Sequence, residues 1–174
     1  MNIIEIPDPS LVLLIGSSGA GKSTFAARHF SATEIVSSDR CRALICDDES
    51  DQSVNAQAFA LLHHIARLRL IRRRLTVIDA TNLQFHARRP LLRMARAHQT
   101  PAIALVFNIP PAICLSHNRA RPHRIVGEDV LEEHQRQFAA ALSRLPLEGY
   151  SQIYSLNETG IAEAVIKKVA LRFS

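Results

Sequence analysis

Gly16, Gly21, Lys22 and Ser23 stand in the register G-x-x-x-x-G-K-S, directly after the apolar run Leu11-Val-Leu-Leu-Ile15 and directly before a helical pattern. That order of strand, glycine-rich turn and helix is what a phosphate-binding loop requires. The glycines let the backbone curl so that its N–H groups face phosphate oxygens, and the following helix adds the positive end of its dipole. Ser17, Ser18, Gly19 and Ala20 make up the body of the loop, and Thr24 follows it into the helix. Lys22 is placed to reach the β- and γ-phosphates of a nucleoside triphosphate, and the Ser23 hydroxyl to ligate Mg²⁺. ATP or another triphosphate and Mg²⁺ are the expected cofactors. The loop by itself leaves open what becomes of the γ-phosphate.

Phosphoryl transfer also needs a carboxylate facing the nucleophile and cations around the migrating group. Asp39 closes the second expected strand, in Val36-Ser-Ser-Asp39, where a carboxylate beside the loop could take the proton of an attacking hydroxyl. Its alternative role is to N-cap a helix over 40–46. Arg42, one helical turn on, could hold a substrate phosphate bidentately or form a surface pair with Asp47 or Asp48. Asp79 ends Thr76-Val-Ile-Asp79 and matches the second acidic position of phosphate-loop proteins, which holds Mg²⁺ directly or through water. Its alternative is a turn-forming aspartate. Thr81 and Asn82 either donate to substrate or cap the next helix. The loop at 117–124, with Arg119, Arg121 and Arg124, could close over the phosphates, or be a solvated basic loop. Eight histidines invite a metal site, but none has a partner at ligand spacing.

These residues need elements to bring them together. The pattern alternates strands at 11–15, 34–38, 75–78, 102–107 and 152–156 with helices at 22–30, 40–46, 53–73, 87–98, 111–118, 128–145 and 161–173. In the long helix Ala56, Phe59, Ala60, His63, Ala66, Leu68 and Leu70 fall near helical spacing. Pro90 is expected in the first turn of its helix. Five strands with intervening helices predict an α/β fold: a five-stranded parallel sheet with helices on both faces and right-handed crossovers. Ligands then bind beyond the strands' carboxyl ends, where Gly16, Asp39, Asp79 and Asn108 all fall. The 174 residues suit one domain, with a lid at about 115–130.

Composition narrows the setting. Apolar residues are 47% and charged residues 21%, with no Trp. No run is long enough to span a bilayer and no basic leader opens the chain, so the expectation is a cytoplasmic protein with no membrane partner. Cys41, Cys46 and Cys114 have no metal or disulfide spacing. The net charge of +5 comes with arginine groups at 67–74, 88–96 and 119–124, which suits a polyanionic partner or exposed helix faces equally.

With these residues in view, the chain resembles the polynucleotide 5′-kinase family, and most of all the kinase module of bacterial polynucleotide kinase-phosphatases of RNA repair. The matching segments are LIGSSGAGKSTFA (14–26), VSSDRCRALICDDESDQ (36–52), LTVIDATN (75–82), VFNIP (106–110) and NRARPHRIV (118–126). The resemblance implies a P-loop kinase fold and transfer of the ATP γ-phosphate to a 5′-hydroxyl end of RNA or DNA. It implies Lys22 on the phosphates, Ser23 on Mg²⁺, Asp39 as general base, Arg42 on the acceptor phosphate, and Arg121 and Arg124 as lid arginines over the donor. It also implies work alongside, or fusion to, phosphatase and ligase modules. Nothing in the sequence sets an oligomeric state. One departure stands out. His117 occupies the place where the family commonly has a lid arginine, so that either Arg119 substitutes, donor affinity falls, or activity becomes pH-sensitive. Val130, off the apolar stripe of the helix after the lid, is expected to pack on the terminal base of the acceptor or against a neighbouring helix. Two other functions stay open at this level: a kinase of a small molecule (nucleotide, sugar acid, antibiotic) and an ATP-hydrolysing nucleic-acid-binding switch.

Overall fold

The computed structural model describes residues 2–120 and 127–171. Among the described residues, seven strands and seven α-helices run β1 (Asn2–Asp8), β2 (Leu11–Ile15), α1 (Lys22–His29), β3 (Ile35–Ser37), α2 (Ser38–Cys46), α3 (Asn55–Ile71), β4 (Thr76–Asp79), α4 (Phe85–Ala97), β5 (Ala102–Phe107), α5 (Pro111–Arg119), α6 (Glu128–Arg144), β6 (Gln152–Leu156), α7 (Glu158–Glu163) and β7 (Ala164–Ala170).

The main sheet is parallel, in the order β3-β4-β2-β5-β6. β2 lies at its centre, with Leu13 opposite Ile78 of β4 and Ala104 of β5. Every residue of β2, β4 and β5 is buried, because helices cover both faces and neither face meets water. Alternate side chains feed two cores. Leu11, Leu13 and Ile15 pack with Leu62, Leu91 and Phe138 of α3, α4 and α6. Val12 and Leu14 pack with Phe25, Cys114 and Ile4 of α1, α5 and β1. The strands' carboxyl ends therefore open between two helix layers, and the functional candidates gather there.

Several expectations are corrected. The closing helix expected at 161–173 is a short helix, α7, followed by β7, which pairs in parallel with β1 from Asn2↔Ala164 to Asp8↔Ala170. Asn2–Asp8, for which the sequence pattern predicts no element, is the strand β1. In both segments β-branched residues alternate: Ile4 and Ile6 are buried, while Ile3 and Val165 face out. Seven-residue tracts carry both periods weakly, and each strand needs the other, 162 residues away, to satisfy its backbone. α3 is rotated relative to the expected stripe. It buries Ala58, Leu62, Ala66 and Leu70 at i, i+4 spacing and leaves Leu68 out in solvent. α4 begins at Phe85, two residues early, which makes Pro90 its sixth residue rather than a first-turn one. α2 begins at Ser38 with Ser37 as its N-cap, so Asp39 sits in the first helical turn instead of capping it.

Candidate active site

The phosphate loop leaves β2 at Gly16, whose N–H donates to Thr81 O at 3.0 Å and ties the loop to the segment after β4. Gly19 and Gly21 have φ of 83° and 85°, the left-handed region that glycine enters without strain. A Cβ on Gly19 would collide with the Cys114 carbonyl of α5, so glycine is required there for space as well as for φ. α1 starts at Lys22 with no side chain capping its N-terminus. Its first-turn N–H donors and its dipole thus face the mouth of the loop, a cradle suited to phosphate. Lys22 is buried, and its ammonium donates to Gly16 O and Ser17 O, each at 2.8 Å, folded over the loop it serves.

Across the cleft stands the pair of Asp39 and Arg42. Arg42 is only 2% exposed. Its guanidinium donates from Nε to Glu49 O at 2.7 Å, from Nη1 to Asn55 Oδ1 at 2.8 Å, and from Nη2 to Asp39 Oδ1. The expected surface pair with Asp47 or Asp48 is not what forms; the acidic turn reaches Arg42 through a main-chain carbonyl. Asp48 and Asp51 instead brace the turn. Asp48 accepts from Ser50 Oγ and N–H, Asp51 from the Ser53 N–H, and these hydrogen bonds hold both carboxyls below their ordinary range. Arg42, spanning α2, the turn and α3, fixes the direction in which Asp39 is presented.

Asp79, Lys22, Ser23, Asp39, Arg42 and Thr81 all line one cleft of about 640 Å³. Asp79 is buried at the end of β4, and the Ser23 side chain is exposed at the start of α1. Among the described residues no cluster of three or more His, Cys, Asp or Glu forms a metal cage. One hydroxyl and one carboxylate beside a phosphate cradle are the donor set that suits Mg²⁺, which keeps its waters and takes further ligands from substrate phosphates. Asn82 is not available to substrate in the expected way. It is 3% exposed, with φ 50°, and its amide donates to Leu14 O at 2.7 Å, pinning the segment after β4 to β2. Thr81, half-buried beside it, keeps its place in the cleft.

Val130 is 41% exposed on the first turn of α6 and lines the same cleft, with Phe59 of α3 in the wall beside it. His117 stands on the other flank of the phosphate loop, its Nδ1 3.0 Å from Gly19 O. A carbonyl only accepts, so Nδ1 carries the proton and donates. Arg119 does not fill the place beside the loop. Its guanidinium, exposed, pairs with Glu128 at the start of α6. Arg121 and Arg124 lie outside the described residues.

Sequence reasoning missed α6's hold on the loop. His134 Nδ1 accepts from the Ser18 N–H at 3.4 Å, and Gln135 donates to Ser17 Oγ at 3.3 Å. His134 also lines the cleft that holds Asp39. The histidine has no motif around it, and its partner lies 116 residues away, so spacing could not reveal it.

The arginine groups divide once partners are visible. Arg88 is fully buried. It donates to both carboxylate oxygens of Glu148 and to Asn82 O and Leu83 O, at 2.8 and 2.7 Å. Arg69 holds Leu75 O and Thr76 Oγ1, Arg73 holds His98 O, and Arg96 holds Glu148 O. Much of the arginine surplus is therefore structural.

A family model described as an AAA domain matches residues 11–145, from β2 through the end of α6. The chain belongs to this family. No curated protein matches the sequence. Its fold is similar to that of a chain in the structure of the Pnkp1/Rnl/Hen1 RNA repair complex, with a TM-score of 0.68 and 20% identity over 80% of this chain and 47% of that one. The present chain thus spans about half the length of that relative. It is similar as well to Chaetomium thermophilum Kti12 in complex with ADP-AlF3, with a TM-score of 0.64 and 16% identity over 88% of this chain and 94% of that one. A gluconokinase from Sinorhizobium meliloti 1021 gives a TM-score of 0.56 and 15% identity over 91% and 88%. At these identities the likeness is one of fold: an α/β P-loop kinase fold with a five-stranded parallel sheet flanked by helices. No helix among the described residues is long and apolar enough to cross a membrane.

Proposed function

We propose that this domain transfers the γ-phosphate of ATP to the 5′-hydroxyl end of a polynucleotide. The observation that carries the proposal is the cleft itself, which has a donor side and an acceptor side. Lys22, Ser23 and the uncapped start of α1 form the first; Asp39, Arg42 and the exposed Val130 form the second. A pure switch that hydrolyses ATP has no use for a buried arginine fork aimed at a carboxylate on the acceptor side.

In this proposal the acceptor oxygen attacks the γ-phosphorus in line, the bond to the β–γ bridging oxygen breaks, and ADP leaves. Asp39 takes the proton of the attacking hydroxyl, in the orientation Arg42 gives it. Arg42, whose guanidinium lines the acceptor side of the cleft, is assigned the acceptor's phosphate. Lys22 and the loop N–H groups stabilise charge on the migrating group. Ser23 and Asp79 would hold Mg²⁺, which would offset the negative charge of the phosphates. A second cavity of about 550 Å³, lined by Gly21, Thr24, Arg28, Ile113, His117 and Ile161 on the other flank of the loop, has the size for the base and ribose of the donor. Arg121 and Arg124 are proposed as the lid cations over the donor, within a single domain spanning the chain, with phosphatase and ligase modules as its working partners.

A small-molecule acceptor is the second reading, favoured by the internal engagement of Arg69, Arg88 and Arg96, which removes part of the charge argument for a polynucleotide. Incubation with γ-labelled ATP and a panel of 5′-OH RNA, 5′-OH DNA, nucleosides and gluconate separates the two. Label on the oligonucleotides is expected, with none from Asp39→Asn although that variant still binds ATP. Label on gluconate or nucleosides alone would select the small-molecule acceptor, and turnover by Asp39→Asn would remove Asp39 as the base.

A further inference from the structure

α4 carries arginines at 88, 89, 93 and 96. Arg88 turns inward to Glu148, whereas Arg89, Arg93 and Arg96 fall at i, i+4 and i+7 on one face. That face, with Phe85 at the start of α4, Arg144 at the end of α6 and Leu147 in the turn that follows, lines a cavity of about 550 Å³ that shares no wall residue with the phosphate-loop cleft.

Its charge is uncompensated. The one carboxylate in the wall is Glu148, whose side chain is 3% exposed and gives both oxygens to Arg88. Arg89 and Arg93 are exposed and have no carboxylate partner among the described residues. Like charges at i, i+4 repel, and bringing Arg144 in from the opposite wall adds to that. An anion seated among them relieves the repulsion. The geometry favours a phosphodiester chain. Arg89 and Arg93 are about 6 Å apart along the helix axis, near the spacing of successive phosphates in an extended strand. Arg144 lies over the Phe85 ring, 4.5 Å from its centroid, and Leu147 is 87% exposed at the rim. A guanidinium on an aromatic ring beside an apolar edge is a platform for stacked bases, which an acidic peptide would not use.

We propose that this cavity is a second nucleic-acid site, holding the backbone of a single strand some nucleotides away from the end being phosphorylated. This rests on the polynucleotide reading of the active site. Six residues separate Asp79 in one cleft from Phe85 in the other, so the two are at most about 20 Å apart there and one strand reaches both.

The test is fluorescence anisotropy of a labelled single-stranded 20-mer RNA against the wild type and Arg89→Gln/Arg93→Gln, over a range of salt, with thermal unfolding to verify the fold. Losing two phosphate contacts should flatten the slope of log K against log salt by about 1.4 and weaken binding roughly tenfold at 0.1 M salt. The KM for the 20-mer should rise with kcat unchanged, and the KM for a 5′-OH dinucleotide should stay the same. An unchanged slope and an unchanged 20-mer KM in the variant would overturn the second site while leaving the kinase reading intact. A wild-type slope lost in the variant, with no label transferred to any oligonucleotide, would keep the site and overturn the kinase reading. Binding of a poly-glutamate peptide that the variant loses, with RNA affinity unaffected, would overturn it in favour of an acidic protein partner.

Discussion

Arg88→Met should damage this protein more than any other arginine substitution on α4. Arg88 is fully buried and makes two bonds to the Glu148 carboxylate and two to main-chain oxygens of Asn82 and Leu83. Methionine fills a similar volume but leaves a carboxylate, 3% exposed, with no partner in that place. Removing one member of a buried pair costs about 3–5 kcal/mol, a large part of the roughly 5–15 kcal/mol that holds a domain folded. At roughly 2–4 °C per kcal/mol for a chain of this size, Tm should fall by about 6–20 °C. Thermal unfolding followed by circular dichroism at pH 7 measures it. Two controls sharpen the reasoning. Arg88→Met/Glu148→Leu, which removes both charges, should recover most of the loss. Arg89→Gln, one residue away but exposed, should stay within about 0.5 kcal/mol of wild type. A loss under about 1 kcal/mol for Arg88→Met, or a double variant no better than the single, would refute the assignment of Arg88 to the fold. The consequence extends to the cleft, because the carbonyls held by Arg88 belong to the segment that carries Thr81 and Asn82.

Gly19→Ala should cost about 1–2 kcal/mol for its left-handed φ, add a collision with the Cys114 carbonyl, and abolish binding of a fluorescent ATP analogue. Gly21→Ala, with the same φ and open space around it, should retain weakened binding; equal effects would remove the steric argument. Val130→Asp should raise the KM for a 5′-OH oligonucleotide with little change in KM for ATP, and an unchanged acceptor KM would take Val130 out of the acceptor site. Burial lowers the pKa of His63, whose Nε2 has no hydrogen-bond partner among the described residues. Its folded pKa is below the unfolded value of 6.5, so the unfolded state binds the proton better and stability falls as pH drops below 6.5. His63→Leu should therefore raise Tm more at pH 5.5 than at pH 8, and an equal gain at both would refute the titration.

The phosphate loop was legible because all its parts are local: strand, glycines, lysine and helix lie within fourteen residues, and each does its work through the backbone beside it. The central strands were legible for a similar reason, since burial on both faces demands an unbroken apolar run. Asp79 could be placed at a strand end by the same logic, whereas Asp39 falls just beyond its strand, in the first turn of α2. Arg42 was singled out, but its partners were not. The guanidinium is met instead by a main-chain carbonyl of the turn and by Asn55, while Asp48 is held by Ser50.

What the sequence by itself determined is the chemistry of short range: a phosphate cradle, its lysine and serine, and a parallel sheet to carry them. Tertiary structure alone decided which arginine is a pillar and which faces a groove, since Arg88 and Arg89 are the same residue type and differ only in whether Glu148, sixty residues on from Arg88, is there to meet them. It decided that a histidine 116 residues from Ser18 rests on the phosphate loop, and that the two ends of the chain meet as a parallel pair of strands. A buried charge or an unpaired strand has its cost cancelled only by a partner, and the partner's position is a property of the folded chain, not of neighbours in sequence.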